Sequence, residues 1–232
     1  MSDTLVDLEV DDDQFPEPAP SRRISVRRWV ALLVIVVVAA ASAVVAMLFV
    51  RSSPPGTDSA EAGFARDMQQ HHAQAVEMSL IVLDRTENDG IRTIAYDIAT
   101  TQQQQQGQMY AWLVGWDLPQ ARSGPVMAWM DGSDMAGMAA MTHSGAMMPG
   151  MATTDDLAEL RSLSGTAAEV LYLQLLIAHH KGGIQMARAV LGLTDNRQVT
   201  LLANAIVASQ QSEISAMETM LAERGATDRR TG

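Results

Sequence analysis

The chain has 232 residues, 47% of them apolar, and a formal net charge of −11, enough for one ordinary domain with accessory segments. Its 16 basic residues form no stripe, which argues against a nucleic-acid backbone as a partner. Cysteine is absent, which excludes disulfides and thiolate metal sites.

Residues 1–28 form an acidic tail with a basic end. The first 20 positions hold seven acids, three prolines and no base, the composition of a disordered segment. Arg22, Arg23, Arg27 and Arg28 follow. Residues 29–50, from Trp29 to Val50, run without a charge and are long enough to span a bilayer core of ~30 Å at ~1.5 Å per residue. Four arginines before the run against Arg51 after it place the N-terminus in the cytoplasm and the remainder outside. A cleaved signal peptide, with Ala41-Ser42-Ala43 as its small-residue site, is the rival reading. The apolar run exceeds the roughly 7–15 residues usual in such peptides, so a retained single-pass membrane anchor is expected. The alternative is a secreted or periplasmic product.

Residues 51–63 are a Pro/Gly/Ser linker, and a helical domain is expected over 64–225. Phe64, Met68, His71, Ala75, Met78 and Val82 keep helical spacing, and Asn88-Asp89-Gly90 marks a turn. A second helix continues through Ile91, Ile94, Ile98, Met109 and Leu113. The Gln102–Gln106 run inside it reads as a solvated face. Over residues 116–153 the periodicity fails. This is a Met-rich loop, with eight of the chain's 16 methionines between Met127 and Met151, and a loop of that length is usually functional or disordered. Thr153-Thr154-Asp155-Asp156 caps a short helix that Ser164-Gly165 closes. Thr166 and Glu169 then suggest a capping box for a third long helix to about Gly192. Thr194-Asp195 opens a fourth that ends near Gly225. No segment alternates convincingly at period two.

The domain is written twice. The segment FARDMQQHHAQAVEMS at 64–79 returns as YLQLLIAHHKGGIQMA at 172–187, displaced by 108 residues, and the same displacement carries Ile98 to Ile206, Gln102 to Gln210 and Leu113 to Leu221. An ungapped repeat of this length predicts two equivalent helical hairpins. Each copy holds one His-His pair and a following Met: His71, His72 and Met78, then His179, His180 and Met186.

Adjacent helical residues project about 100° apart, so His71 faces the core stripe and His72 leans toward a neighbouring helix. His71 and Met78 lie ~10.5 Å apart along the helix, too far for one ion. Met68 and His72, spaced by one turn, can share an ion; Leu176 replaces Met68 in the second copy. Any other site is assembled between helices, with one copy's His near the other copy's His or Met.

The plain alternative is a set of core histidines hydrogen-bonded by Gln102, Gln105, Gln210 or Glu213, with methionines as packing. Two His pairs at matched repeat positions favour ligation. Imidazole with thioether and no thiolate suits copper, as Cu(I), Cu(II) or both. The loop's Met130, Met135, Met138, Met141, His143, Met147, Met148 and Met151 add soft donors, or else form a plastic apolar lid. Neutral imidazole is required for ligation, so metal binding is expected to weaken as pH falls through ~6.5.

These residues bear a family resemblance: Asp67-Met68 with His71-His72, Ala75, Val76 and Met78, then Gln102 with Trp112-Leu113. In the second half, His179-His180, Gly182-Gly183-Ile184 and Met186, then Gln210, Glu213-Ile214 and Met217, continue it. Over roughly residues 61–223 the chain resembles the domain of unknown function 305 family, ferritin-like helical bundles that include a periplasmic copper-binding protein. The resemblance implies an all-α, ferritin-like four-helix bundle outside the cytoplasm that binds copper through His and Met. Gln105 standing opposite Glu213, and Asp67 opposite Leu175, predict unequal halves.

The expectation is a membrane-anchored extracytoplasmic copper-binding protein that sequesters, tolerates or delivers copper, and not an enzyme. The alternatives are a metal-dependent redox enzyme, for which Asp67 is the candidate proton carrier, and a structural helical module without metal. The partners expected are copper ions and the membrane, with no nucleic acid. A transfer partner and an oligomeric state are left open.

Overall fold

The structure, a computed structural model, describes residues 26–51, 54–122, 124–130 and 148–228. Met135, Met138, Met141, His143 and Met147 lie outside the described residues, as does the acidic tail.

Every regular element among the described residues is helical: α1 (Val26–Arg51), α2 (Ala60–Leu83), α3 (Asp89–Gly115), α4 (Thr154–Ser162), α5 (Gly165–Leu191) and α6 (Arg197–Glu223). The chain divides into two compact units at residue 53. The first contains α1, whose segment Val26–Met47 is long and apolar enough to cross a membrane and has no residue buried in protein. That length and composition suit an anchor or a signal sequence alike.

The second unit is built from two hairpins. Helix α2 packs on α3, α5 packs on α6, and α2 also packs on α5. Side-chain caps fix where several helices begin. Ser59 accepts from the Ala62 N–H, Asn88 from Ile91 and Asn196 from Gln198, each cap contributing ~1 kcal/mol. At α4, Thr153 and Asp156 complete a reciprocal capping box.

Four terminus expectations change. Capped by Ser59, α2 begins at Ala60, so residues 60–63 of the expected linker are helical. Asn88 is the cap of α3, so Asp89 and Gly90 lie inside the helix and not in the turn. Asn196, rather than Thr194 or Asp195, caps α6. Ser164 precedes α5 without a side-chain bond, and no Thr166–Glu169 box forms. The Gly165 N–H instead donates to the Arg85 carbonyl beyond α2 at 2.7 Å. Glu169 turns to Thr86 (2.5 Å) and Arg224 (2.7 Å). The capping group was needed elsewhere, to tie the ends of both hairpins together.

Helices α2 and α5 are antiparallel. His71 meets His179, while Ser79, later in α2, reaches the hydroxyl of Tyr172, earlier in α5, at 3.0 Å. The repeat equivalents of that second pair, Ala187 and Phe64, share one apolar cluster. Residues that contact their own repeat equivalents lie about a pseudo-twofold axis, here passing near the His71–His179 pair.

The apolar core is divided. One cluster takes Ala75, Met78 and Val82 from α2, Ile91–Ile98 from α3, Leu171–Ile177 from α5 and Ile214–Leu221 from α6. The other takes Phe64, Ala65 and Met68, then Met109 and Leu113, then Met186, Ala187 and Val190, then Val199–Ile206. Each fully buried Leu, Ile, Phe or Met contributes ~1.5–3 kcal/mol, so these clusters, more than helix propensity, hold the hairpins together. On each helix a polar pair lies between the clusters: His71 and His72, Gln102 and Gln105, His179 and His180, Gln210 and Glu213. Only Ile184 of the first cluster falls on the far side of its pair.

Candidate metal centre

The polar layer is the chemically distinctive part of the bundle. All four imidazoles are fully buried, and Gln102 and Gln210 are 2% exposed. The helical repeat explains the placement: in each copy adjacent histidines on the first helix face Gln-x-x-Gln or Gln-x-x-Glu on the second. His71 and His179 point across the axis at each other, their ring centroids 3.8 Å apart and their planes inclined at 33°. His72 and His180 point back into their own hairpins.

Each ring uses its Nε2 in a hydrogen bond. His72 donates to Gln105 Oε1 at 2.6 Å, and His180, at the equivalent place, to the Glu213 carboxylate at 2.7 Å. His179 donates to the backbone carbonyl of His71 at 2.9 Å. His71 breaks the symmetry and donates to the Pro149 carbonyl at 3.1 Å. The four Nδ1 atoms are buried without a hydrogen-bond partner. Burial pushes the His71 pKa down to about 4 and that of His72 to about 3, with the neighbouring imidazoles adding to the shift. His179 is lowered well below the ordinary histidine value, first by burial and then by the other three rings. These three rings are therefore neutral at pH 7, with the proton on Nε2 and a lone pair on Nδ1. An outer partner that fixes the tautomer while the other nitrogen stays free is the arrangement ligating histidines use.

A nitrogen-preferring cation fits this donor set, but the rings are not yet converged on one point. Among the described residues no three His, Asp or Glu side chains stand at metal-holding spacing. Two rings with centroids this close and planes inclined at only 33° cannot both direct in-plane lone pairs at one ion, so binding requires rotation of at least one of them.

Sequence reasoning missed the strap over the layer. Gln74 clamps both backbone groups of Ala152, donating at 2.9 Å and accepting at 2.7 Å. Gly150, at φ +71°, lies against the Ala178 carbonyl, and a Cβ on Gly182 would stand 2.0 Å from Pro149 O. Glycine at both places lets the Met148–Ala152 backbone press onto α5 and present Pro149 to His71. The earlier part of the loop is held by Asp67, which accepts from the Met127 N–H (2.8 Å) and the Trp129 indole (2.9 Å) and pairs with Arg122 (2.7 Å). Burial raises the Asp67 pKa against those partners.

The methionines divide. Met78 belongs to one apolar cluster, and Met68, Met130, Met148 and Met186 belong to the other, with Met151 packed at its edge. In this arrangement they serve as packing on either side of the imidazoles. The five-glutamine run is not one solvated face, because Gln102 and Gln105 are buried while Gln103 and Gln104 are exposed. The signal that finds the buried pair is its recurrence as Gln210 and Glu213 at the repeat displacement.

Among curated proteins none matches the chain in sequence. A candidate secreted protein of Streptomyces coelicolor, of known structure, is 47% identical, with a TM-score of 0.66, covering 75% of this chain and 98% of that one. A fragment from Deinococcus radiodurans is 31% identical, with a TM-score of 0.58 over 73% of this chain and 99% of that one. CopM matches in its Cu(I)-bound form at 19% identity and in its Cu(II)-bound form at 23%, each with a TM-score of 0.53 over 71% of this chain and 96% or 97% of that one; this likeness is one of fold. The family model for the domain of unknown function (DUF305) matches residues 61–221. The chain belongs to the DUF305 family.

Proposed function

We propose that the domain binds copper through the four imidazoles of the polar layer, as a ferritin-like bundle working outside the cytoplasm on the N-terminal anchor. The observation that carries this reading is the set of four buried Nδ1 atoms without partners, each on a ring whose Nε2 is engaged elsewhere. A layer built only for stability gains nothing from four buried ring nitrogens without partners, since a buried polar atom without a partner costs ~1–3 kcal/mol. Copper is favoured over other imidazole-binding metals by the methionine-rich composition and by the fold shared with CopM, solved with Cu(I) and with Cu(II). The Met-rich tract adds soft donors by composition and suits capture or hand-over.

Binding is favoured over turnover because the nearby carboxylates are committed. Asp67 holds Met127, Trp129 and Arg122, and Glu213 holds His180.

The test is thermal melting of the wild-type domain and of a variant with His71, His72, His179 and His180 all changed to Gln, each with and without copper. Copper raises the wild-type stability by ~2.7 kcal/mol at a free concentration 100 times Kd and leaves the variant unchanged. Equal shifts in both proteins remove the imidazoles from the site.

A further inference from the structure

Two side chains of the layer are left over once the imidazoles are assigned. Gln102 and Gln210 are repeat equivalents, each 2% exposed, and on both amides neither the oxygen nor the nitrogen has a hydrogen-bond partner. Each stands one helical turn before the residue that orients an imidazole: Gln102 before Gln105, and Gln210 before Glu213. The Gln210 amide lies against Gly183, where an added Cβ would come within 2.6 Å of its Oε1. Gly183 in turn is one turn beyond His179 on α5.

The amide nitrogens are donors and the Nδ1 atoms of His71, His72 and His179 are acceptors, yet none pairs with another. An apolar side chain of similar length would close the layer without stranding polar atoms. Other matched positions have diverged between the copies, Gln74 against Gly182 and Gln105 against Glu213, whereas both halves keep this glutamine.

We propose that Gln102 and Gln210 hold water molecules carried by a divalent ion in the polar layer, so that the site takes the aquated divalent ion in preference to a bare monovalent one. The inference rests on the imidazole layer being the metal site. A metal-bound water offers two hydrogens, and an amide oxygen is an acceptor of matching geometry and no charge. A soft monovalent ion, satisfied by two or three imidazole or thioether donors, brings no such water. The glutamines are thus positioning residues that act through water.

The test compares wild type with the Gln102→Leu/Gln210→Leu double variant, using Cu(II) and Ag(I) as probes. The affinity for each ion is measured, and pulsed EPR in deuterated water detects water deuterons on bound Cu(II). Apo melting temperatures establish that the variants fold; removal of stranded polar atoms leaves them unchanged or higher. Cu(II) binding is expected to weaken at least tenfold with loss of the deuteron signal, while Ag(I) affinity changes less than twofold. Gln102→Leu alone, a milder change, is expected to lose part of the signal. An equal loss of both ions, or Cu(II) binding that keeps its deuteron signal in the double variant, overturns the proposal. Failure of wild type to bind either ion overturns the metal reading itself, and this inference with it.

Discussion

His71 and His179 stand 108 positions apart in the chain, and their rings lie 3.8 Å apart between centroids. The pair therefore forms the seam where one hairpin meets its copy. Metal uptake at this seam must separate or turn the rings, because at an inclination of 33° their in-plane lone pairs do not meet at one ion.

Burial sets the pH response of the domain. His71 titrates near 4 and His72 near 3 when folded, against ~6.5 unfolded. As pH falls below ~6.5 the unfolded chain takes up these protons first, so stability declines from there to about pH 4 for His71 and on to about pH 3 for His72. His71 alone contributes on the order of 3 kcal/mol over that window. Asp67, with its pKa raised, works with the opposite sign. Urea melts at pH 7 and pH 5 should show a smaller loss for His71→Gln than for wild type; equal losses would contradict the assignment. In the folded domain, proton competition with metal at His71 also shifts from ~6.5 to about 4, lower than unperturbed imidazoles imply.

Gly182→Ala should unseat the strap. Its Cβ would meet Pro149 O at 2.0 Å, whereas a Cβ on Gly107 would meet nothing within 4 Å. The first substitution is expected to destabilise by ~1–3 kcal/mol, the range for overpacking, and to deprive His71 of its acceptor. Gly107→Ala, inside α3, should stabilise by ~0.5–1 kcal/mol. Thermal melts of the two variants check the contrast.

Glu169→Ala should cost about 3 kcal/mol, the scale for breaking a buried ion pair, since it removes the carboxylate from both Arg224 and the Thr86 hydroxyl. Copper affinity should stay unchanged, because Glu169 lies at the hairpin ends and outside the polar layer. Urea denaturation and a copper titration on one preparation read both outcomes.

If α1 is an anchor, protease added to intact cells digests the helical domain and spares the acidic N-terminal tail. A mature N-terminus near Val44 identifies α1 as a cleaved signal instead. Mass spectrometry of the protein from the membrane fraction distinguishes the two.

The repeat made the two hairpins legible, because helical spacing and displacement are properties of the sequence itself; that His71 meets His179, rather than a methionine, follows from the antiparallel packing of α2 on α5. Gln105 and Glu213 stood among four candidate partners of the imidazoles, and their pairing with His72 and His180 is set by the tertiary arrangement. The Pro149 strap was not legible, since a loop without periodicity carries no register against the helix it crosses. Gln102 and Gln105 were hidden in a run of identical residues whose burial depends on phase. Glu169 looked like a cap because its spacing to Thr166 is correct, and only the tertiary arrangement shows that Arg224 and Thr86 claim it.

The polar layer also acts as an alignment mark. Apolar clusters of interchangeable Leu, Ile, Met and Val tolerate a helix sliding by one turn, since one branched side chain replaces another at modest cost. A level with two polar residues on each of four helices does not. Moving α5 by one turn takes His179 from the His71 carbonyl and His180 from Glu213, several uncompensated polar burials at once. The same residues offered to a metal thus hold the two hairpins in a single mutual register.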